Sequence, residues 1–153
     1  MTIYEMQIVC NNVLSTENKP AVLVKLGRKN ARRSRACPRP SGNYIAIAPF
    51  IFAYPEEVQR AEIIHESCHF LPDNPCRCVL NHGKLFRQKE ISWLAQYGLK
   101  PLKYVGVYNR LLETAAGEVI PTRGIDNKRI EYWSLEMKAK NMSKRTKHER
   151  ITL

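Results

Sequence analysis

The stretch Ile63-Ile64-His65-Glu66-Ser67-Cys68-His69-Phe70 sets two imidazoles and a carboxylate within an apolar surround. Its spacing, His65-Glu66-x-x-His69, constrains the local fold. On a helix, residues four apart are surface neighbours, so His65 and His69 converge on one ion. Glu66 directly follows the first imidazole and reaches a water on that ion without ligating it. Zinc acidifies such a water, and an adjacent carboxylate accepts its proton. The segment is therefore expected to be a helix, running from about Tyr54 to Phe70, with Pro55 in its first turn and Pro72 ending it. Val58, Ala61, Ile64 and Cys68 form its core stripe. Cys68 points away from the histidines and reads as a small core residue.

A catalytic zinc usually takes three protein ligands and keeps one open position. Downstream of the helix, His82 leads the candidates for the third place, in Asn81-His82-Gly83-Lys84-Leu85-Phe86. Glu90 is a rival from the following helix, and Asp73, Cys76 and Cys78 are weaker ones. The expected cofactor is one catalytic Zn2+, with Glu66 as the catalytic base. Five cysteines are an odd set that cannot all pair internally, which fits a reducing compartment. Cys10, Cys37, Cys76 and Cys78 offer a second, structural zinc site, but Cys76-Arg77-Cys78 is tighter than the usual two-residue spacing.

His65-Glu66-x-x-His69 followed by His82-Gly83-x-x-Phe86 resembles the SprT-like metalloproteases, whose eukaryotic members include Spartan. A strand-like Asn43-Tyr44-Ile45-Ala46-Ile47-Ala48 before the motif helix extends the similarity, which covers roughly residues 20–98. The resemblance favours His82 as the third ligand. It implies a zinc-dependent endopeptidase acting on proteins bound or crosslinked to DNA.

Charge agrees with a polyanionic partner. The chain carries 25 basic and 14 acidic residues, a formal net charge of +11, which favours contact with nucleic acid. No Asp or Glu occurs between Glu17 and Glu56, and this interval holds Arg28, Lys29, Arg32, Arg33, Arg35 and Arg39. These are the candidate nucleic-acid-binding residues, in a loop from Gly27 to Gly42. Hydrophobic content of 44% fits a globular domain. No apolar run reaches the roughly 20 residues that a membrane helix needs. The N-terminus lacks the pattern of a secretory signal, so a cytoplasmic or nucleoid-associated location is expected.

The remaining elements follow from periodicity. Ile3, Met6, Val9, Cys10, Val13 and Leu14 predict an amphipathic helix, broken over Ser15–Pro20. Residues 21–26 and Tyr44–Ala48 predict strands, the latter a candidate edge for pairing with an extended substrate. Gly83–Tyr97 predicts a helix with Leu85, Phe86, Ile91, Trp93 and Leu94 in apolar contacts, stopped at Gly98. Residues 103–108 suggest a strand, Asn109–Ala116 a short helix, and Ile130–Ala139 a helix carrying Trp133. Together these predict an α+β, zincin-like metalloprotease domain over residues 1–137, a small sheet packed on helices, with a basic tail over 138–153. Two other functions compete with hydrolysis of protein. One is a non-enzymatic nucleic-acid-binding protein with a structural zinc. The other is a metal-dependent nuclease, against which the lack of an acidic metal cluster counts.

Overall fold

The computed structural model describes residues 1–38, 42–72, 82–105 and 109–122. Among them the chain is mixed α+β: three α-helices and two small sheets. The proposed boundary at residue 137, the basic tail and the helix expected at Ile130–Ala139 lie outside the described residues, as do Arg39, Asp73, Cys76 and Cys78.

Helix α1 spans Ile3–Thr16 and starts at a capping box. The Thr2 hydroxyl accepts from the Glu5 amide at 3.1 Å, and the Glu5 carboxylate accepts from the Thr2 amide at 2.6 Å. Two otherwise orphaned donors are thereby satisfied. The helix outlasts the expected break at Ser15. It ends instead at Asn18, whose positive φ of 55° lets the Lys19 amide reach back to the Leu14 carbonyl at 2.8 Å. Met6, Val9, Cys10, Val13 and Leu14 make its buried face.

The first sheet has the order β1-β3-β2, from β1 (Leu23–Leu26), β2 (Arg35–Cys37) and β3 (Tyr44–Ile47). β1 runs parallel to β3 and β2 antiparallel to it. Two expectations fail here. The basic interval expected to be a loop contains β2, because Ala36 is buried opposite Ile45 while Arg35 turns out to solvent. The strand expected to be an edge, Tyr44–Ala48, is the middle strand, bonded on both sides. β1 has its outer edge covered by a side chain. Gln7 of α1 donates to the Val22 carbonyl at 2.8 Å and accepts from the Val24 amide at 2.7 Å, standing in for a neighbouring strand.

Helix α2 covers Glu56–Cys68, shorter at both ends than expected. A 3-10 helix over Pro49–Ala53 leads into it, so Pro55 becomes the N-cap rather than a first-turn residue. Its last turn tightens: Phe70 and Leu71 bond back three residues, to the carbonyls of Ser67 and Cys68. Every residue from Ala61 to Leu71 is buried, because α1, the 3-10 helix, the sheet and helix α3 all pack against α2.

Helix α3 spans Lys84–Gln96 and buries Phe86, Glu90, Trp93 and Leu94. Leu85 and Ile91, expected to make apolar contacts with the others, are 67% and 43% exposed, because they lie off the stripe that those four residues define. Gly98, with φ 72°, turns the chain into a second, antiparallel sheet of order β4-β5-β6. Its strands are β4 (Leu99–Val105), β5 (Asn109–Thr114) and β6 (Val119–Pro121). The helix expected at Asn109–Ala116 is thus strand β5. Leu, Glu and Ala there favour a helix locally, but cross-strand pairing of Leu112 with Pro101 and Ile120 wins. Gly117, at φ 80°, supplies the turn that returns the chain. No helix among the described residues is long and apolar enough to cross a membrane.

The Gln7 clamp gives the first prediction. Gln7→Leu leaves the Val22 carbonyl and Val24 amide without these bonds. Denaturant unfolding should show a loss of about 1–3 kcal/mol. A second test lies at the end of α1, where a bond from the Lys89 ammonium at 2.9 Å holds the Glu17 carboxyl below its ordinary range. A lowered folded pKa means the contribution is present above the unfolded value and lost as pH falls through the folded one. The partners are 26% and 43% exposed, so Glu17→Gln should cost only a few tenths of a kcal/mol at neutral pH. The difference from the parent should vanish in acid.

Candidate metal centre

Glu62, His65, Glu66 and His69 share one stripe of α2, and all are buried. A helix so enclosed holds polar groups only where partners meet them. For His65 the partner comes from α3. Phe86 packs against all three imidazoles of the cluster, with ring centroids 5.2 Å from His65 and 4.8 Å from both His69 and His82. One turn along the same face, the Glu90 carboxylate lies 2.9 Å from His65 Nδ1. A carboxylate only accepts, so Nδ1 carries the proton and donates it. The lone pair of His65 is thereby fixed on Nε2.

His82 immediately precedes α3 and closes the group. Its Nε2 lies 3.2 Å from Nε2 of His65 and 3.2 Å from Nε2 of His69. The ligand atoms of the three histidines all fall within 4.8 Å of one another. Two nitrogens about 2.0–2.1 Å from a tetrahedral ion stand roughly 3.3–3.4 Å apart. The two Nε2 separations are close to that span. The donor set therefore fits a metal ion: three imidazoles whose nitrogens converge, one of them held by a buried carboxylate on its far nitrogen.

Of the candidates for the third ligand, His82 joins His65 and His69. Glu90 has the different place just described, on the far nitrogen of His65, where it orients the ring. Its position was readable from sequence only as one turn beyond Phe86 on the same helix face. Glu62, one turn before Glu66, was missed altogether, since it falls outside the five-residue motif. Cys68 sits in the apolar core. Cys10 and Cys37 are free and buried, and neither belongs to a metal-ligand group among the described residues. Burial pushes the Cys10 thiol up, with a bond to Ser67 opposing it.

The basic candidates divide. Arg28, Arg33 and Arg35 line a depression on the first sheet, whereas Lys29 and Arg32 are exposed but take no part in it. Lys25, which had not been singled out, lines it with them.

His82→Ala should abolish tight metal binding in competition with a chromophoric chelator. Glu90→Gln should leave one ion per chain but weaken affinity about 10–100-fold, as loss of an orienting partner does elsewhere. Equal metal loss in both variants would instead make Glu90 a direct ligand.

No protein-family model, curated protein or solved structure matches the chain.

Proposed function

We propose that the chain is a zinc-dependent endopeptidase of the SprT-like type, acting on proteins associated with nucleic acid. The observation that supports it most is the approach of three imidazole Nε2 atoms beside a buried glutamate, in the order His65-Glu66-x-x-His69 and then His82. Three histidines leave a fourth position of a tetrahedral ion for water or substrate. When bound, zinc would supply a Lewis acid that acidifies water and polarises a carbonyl.

The chain's own residues carry the remaining work. Glu66 takes the proton of the attacking water and returns it to the departing amine, and no covalent enzyme intermediate is required. Glu90 keeps His65 oriented through Nδ1. Phe86 excludes solvent from the inner side of the imidazole cluster. An extended peptide is received on the first sheet. Because β3 is the middle strand, strand addition falls to the outer edge of β2, which packs against α2. Backbone pairing there binds peptide with little sequence preference. The net charge of +11 favours substrates held near nucleic acid.

Glu66→Gln keeps size and removes the base. Zinc content should match the parent, while hydrolysis of an unstructured protein should fall roughly 10²–10⁴-fold. Parental turnover in zinc-loaded Glu66→Gln protein would remove the mechanism. A fourth protein ligand found by metal spectroscopy would replace the enzyme with the structural-zinc alternative.

A further inference from the structure

The first sheet has two faces of opposite character. Val24, Ala36, Ile45 and Ile47 are buried, while the residues alternating with them point the other way. Across that outer face runs one rank, Lys25–Ala46–Arg35, fixed by the register of β1 and β2 on β3. Lys25 and Arg35 are exposed, and the small Ala46 lies between them. Neighbouring strands are about 4.8 Å apart, so the two cationic side chains rise from backbones roughly 10 Å apart.

This rank belongs to a depression of about 570 Å³, which Arg28, Arg33 and Tyr44 also line. The Lys25 ammonium stands 3.9 Å from the centroid of the Tyr44 ring. The negative face of the ring holds the cation over the sheet instead of leaving it to range through solvent. Among the described residues, no acidic side chain lines the depression. Four cations around one concave surface repel each other, and an anion seated among them relieves that repulsion. The candidate metal centre, formed by His65, His69 and His82, uses none of them.

We propose that this depression binds the phosphodiester backbone of nucleic acid, with Lys25, Arg28 and Arg35 meeting successive phosphates. It rests on the nucleic-acid part of the function proposed above, not on hydrolysis. The volume exceeds what one phosphate fills, and the cations are spread along the lining, which suits a repeating anion. Phosphate contacts carry no base identity, so binding is insensitive to sequence.

The test uses full-length, zinc-loaded Glu66→Gln protein, so that hydrolysis plays no part. Fluorescence anisotropy is read with a labelled single strand and with the matching duplex, which distinguishes the two sources of the same backbone. Arg28→Gln/Arg35→Gln should weaken binding at least about tenfold and flatten the salt dependence, by about 0.7 in slope for each phosphate of a single strand that is no longer neutralised. Lys29→Gln/Arg32→Gln removes the same charge from the same interval but not from the depression, and should stay within about twofold. Ala46→Leu fills the space between the cations without changing charge, and should also weaken binding. Should the Arg28/Arg35 variant lose its fold, Lys25→Gln alone is read by the same salt slope. Equal losses in the two double variants, or parental binding in Arg28→Gln/Arg35→Gln or in the substituted Lys25 protein, overturn the site. Arg28- and Arg35-dependent binding, together with no hydrolysis by the zinc-loaded parent protein that retains Glu66, sustains the site while removing the peptidase.

Discussion

The hydrogen bond between His65 Nδ1 and Glu90 is the interaction on which the candidate centre depends. It joins helices α2 and α3, and it places a carboxylate with only 1% exposure beside an imidazole with 4%. Such a pair is costly to desolvate, and removing either member strands the other. It also determines which ring nitrogen faces the cluster, so a bond that packs α3 against α2 sets the chemistry on the opposite side of the ring. Phe86 and Glu90, one turn apart on α3, act as a unit: one shields the imidazoles and the other orients them.

The enclosure of α2 makes that arrangement possible. A helix with one solvent face would let His65 and His69 hydrate and sample several rotamers. Here α1, the first sheet and α3 surround it, and apolar side chains such as Ile63, Ile64 and Phe70 crowd the backbone that carries the polar stripe. Preorganisation of this kind lowers the entropy lost when ligands gather on an ion. The capping box at Thr2 and Glu5 and the clamp from Gln7 belong to the same design, since α1 is the layer that closes α2 from one side.

Local signals made much of this legible in sequence. Helical periodicity located α1, and the i, i+4 histidines located the core of α2, because both depend on spacing within one element. His82 leads the candidates for the third ligand and the family resemblance favours it, but no local rule links residues across the interval between His69 and His82. Glu90 reads in sequence only as a rival third ligand, because a carboxylate facing a metal and one facing a ligand's far nitrogen look alike there. β2 was hidden by its charge: three residues, one of them arginine, carry too little alternation to reveal a strand. β5 was mistaken for a helix, since its pairing with β4 and β6 is not encoded in its own propensities. Lys25 escaped notice because its relation to Arg35 exists only through the register of two strands on a third.

The Gln7 amide bears on how this protein associates with itself. A sheet propagates into a fibre only if each added strand leaves another edge behind it and the opposite edge is open too. In the first sheet the Gln7 amide occupies edge groups of Val22 and Val24 that an added strand would need. Among the described residues no strand pairs with the outer side of β2, so growth has a single direction. Two molecules meeting through β2 would exhaust each other's capacity, and assembly through this sheet would stop at a pair.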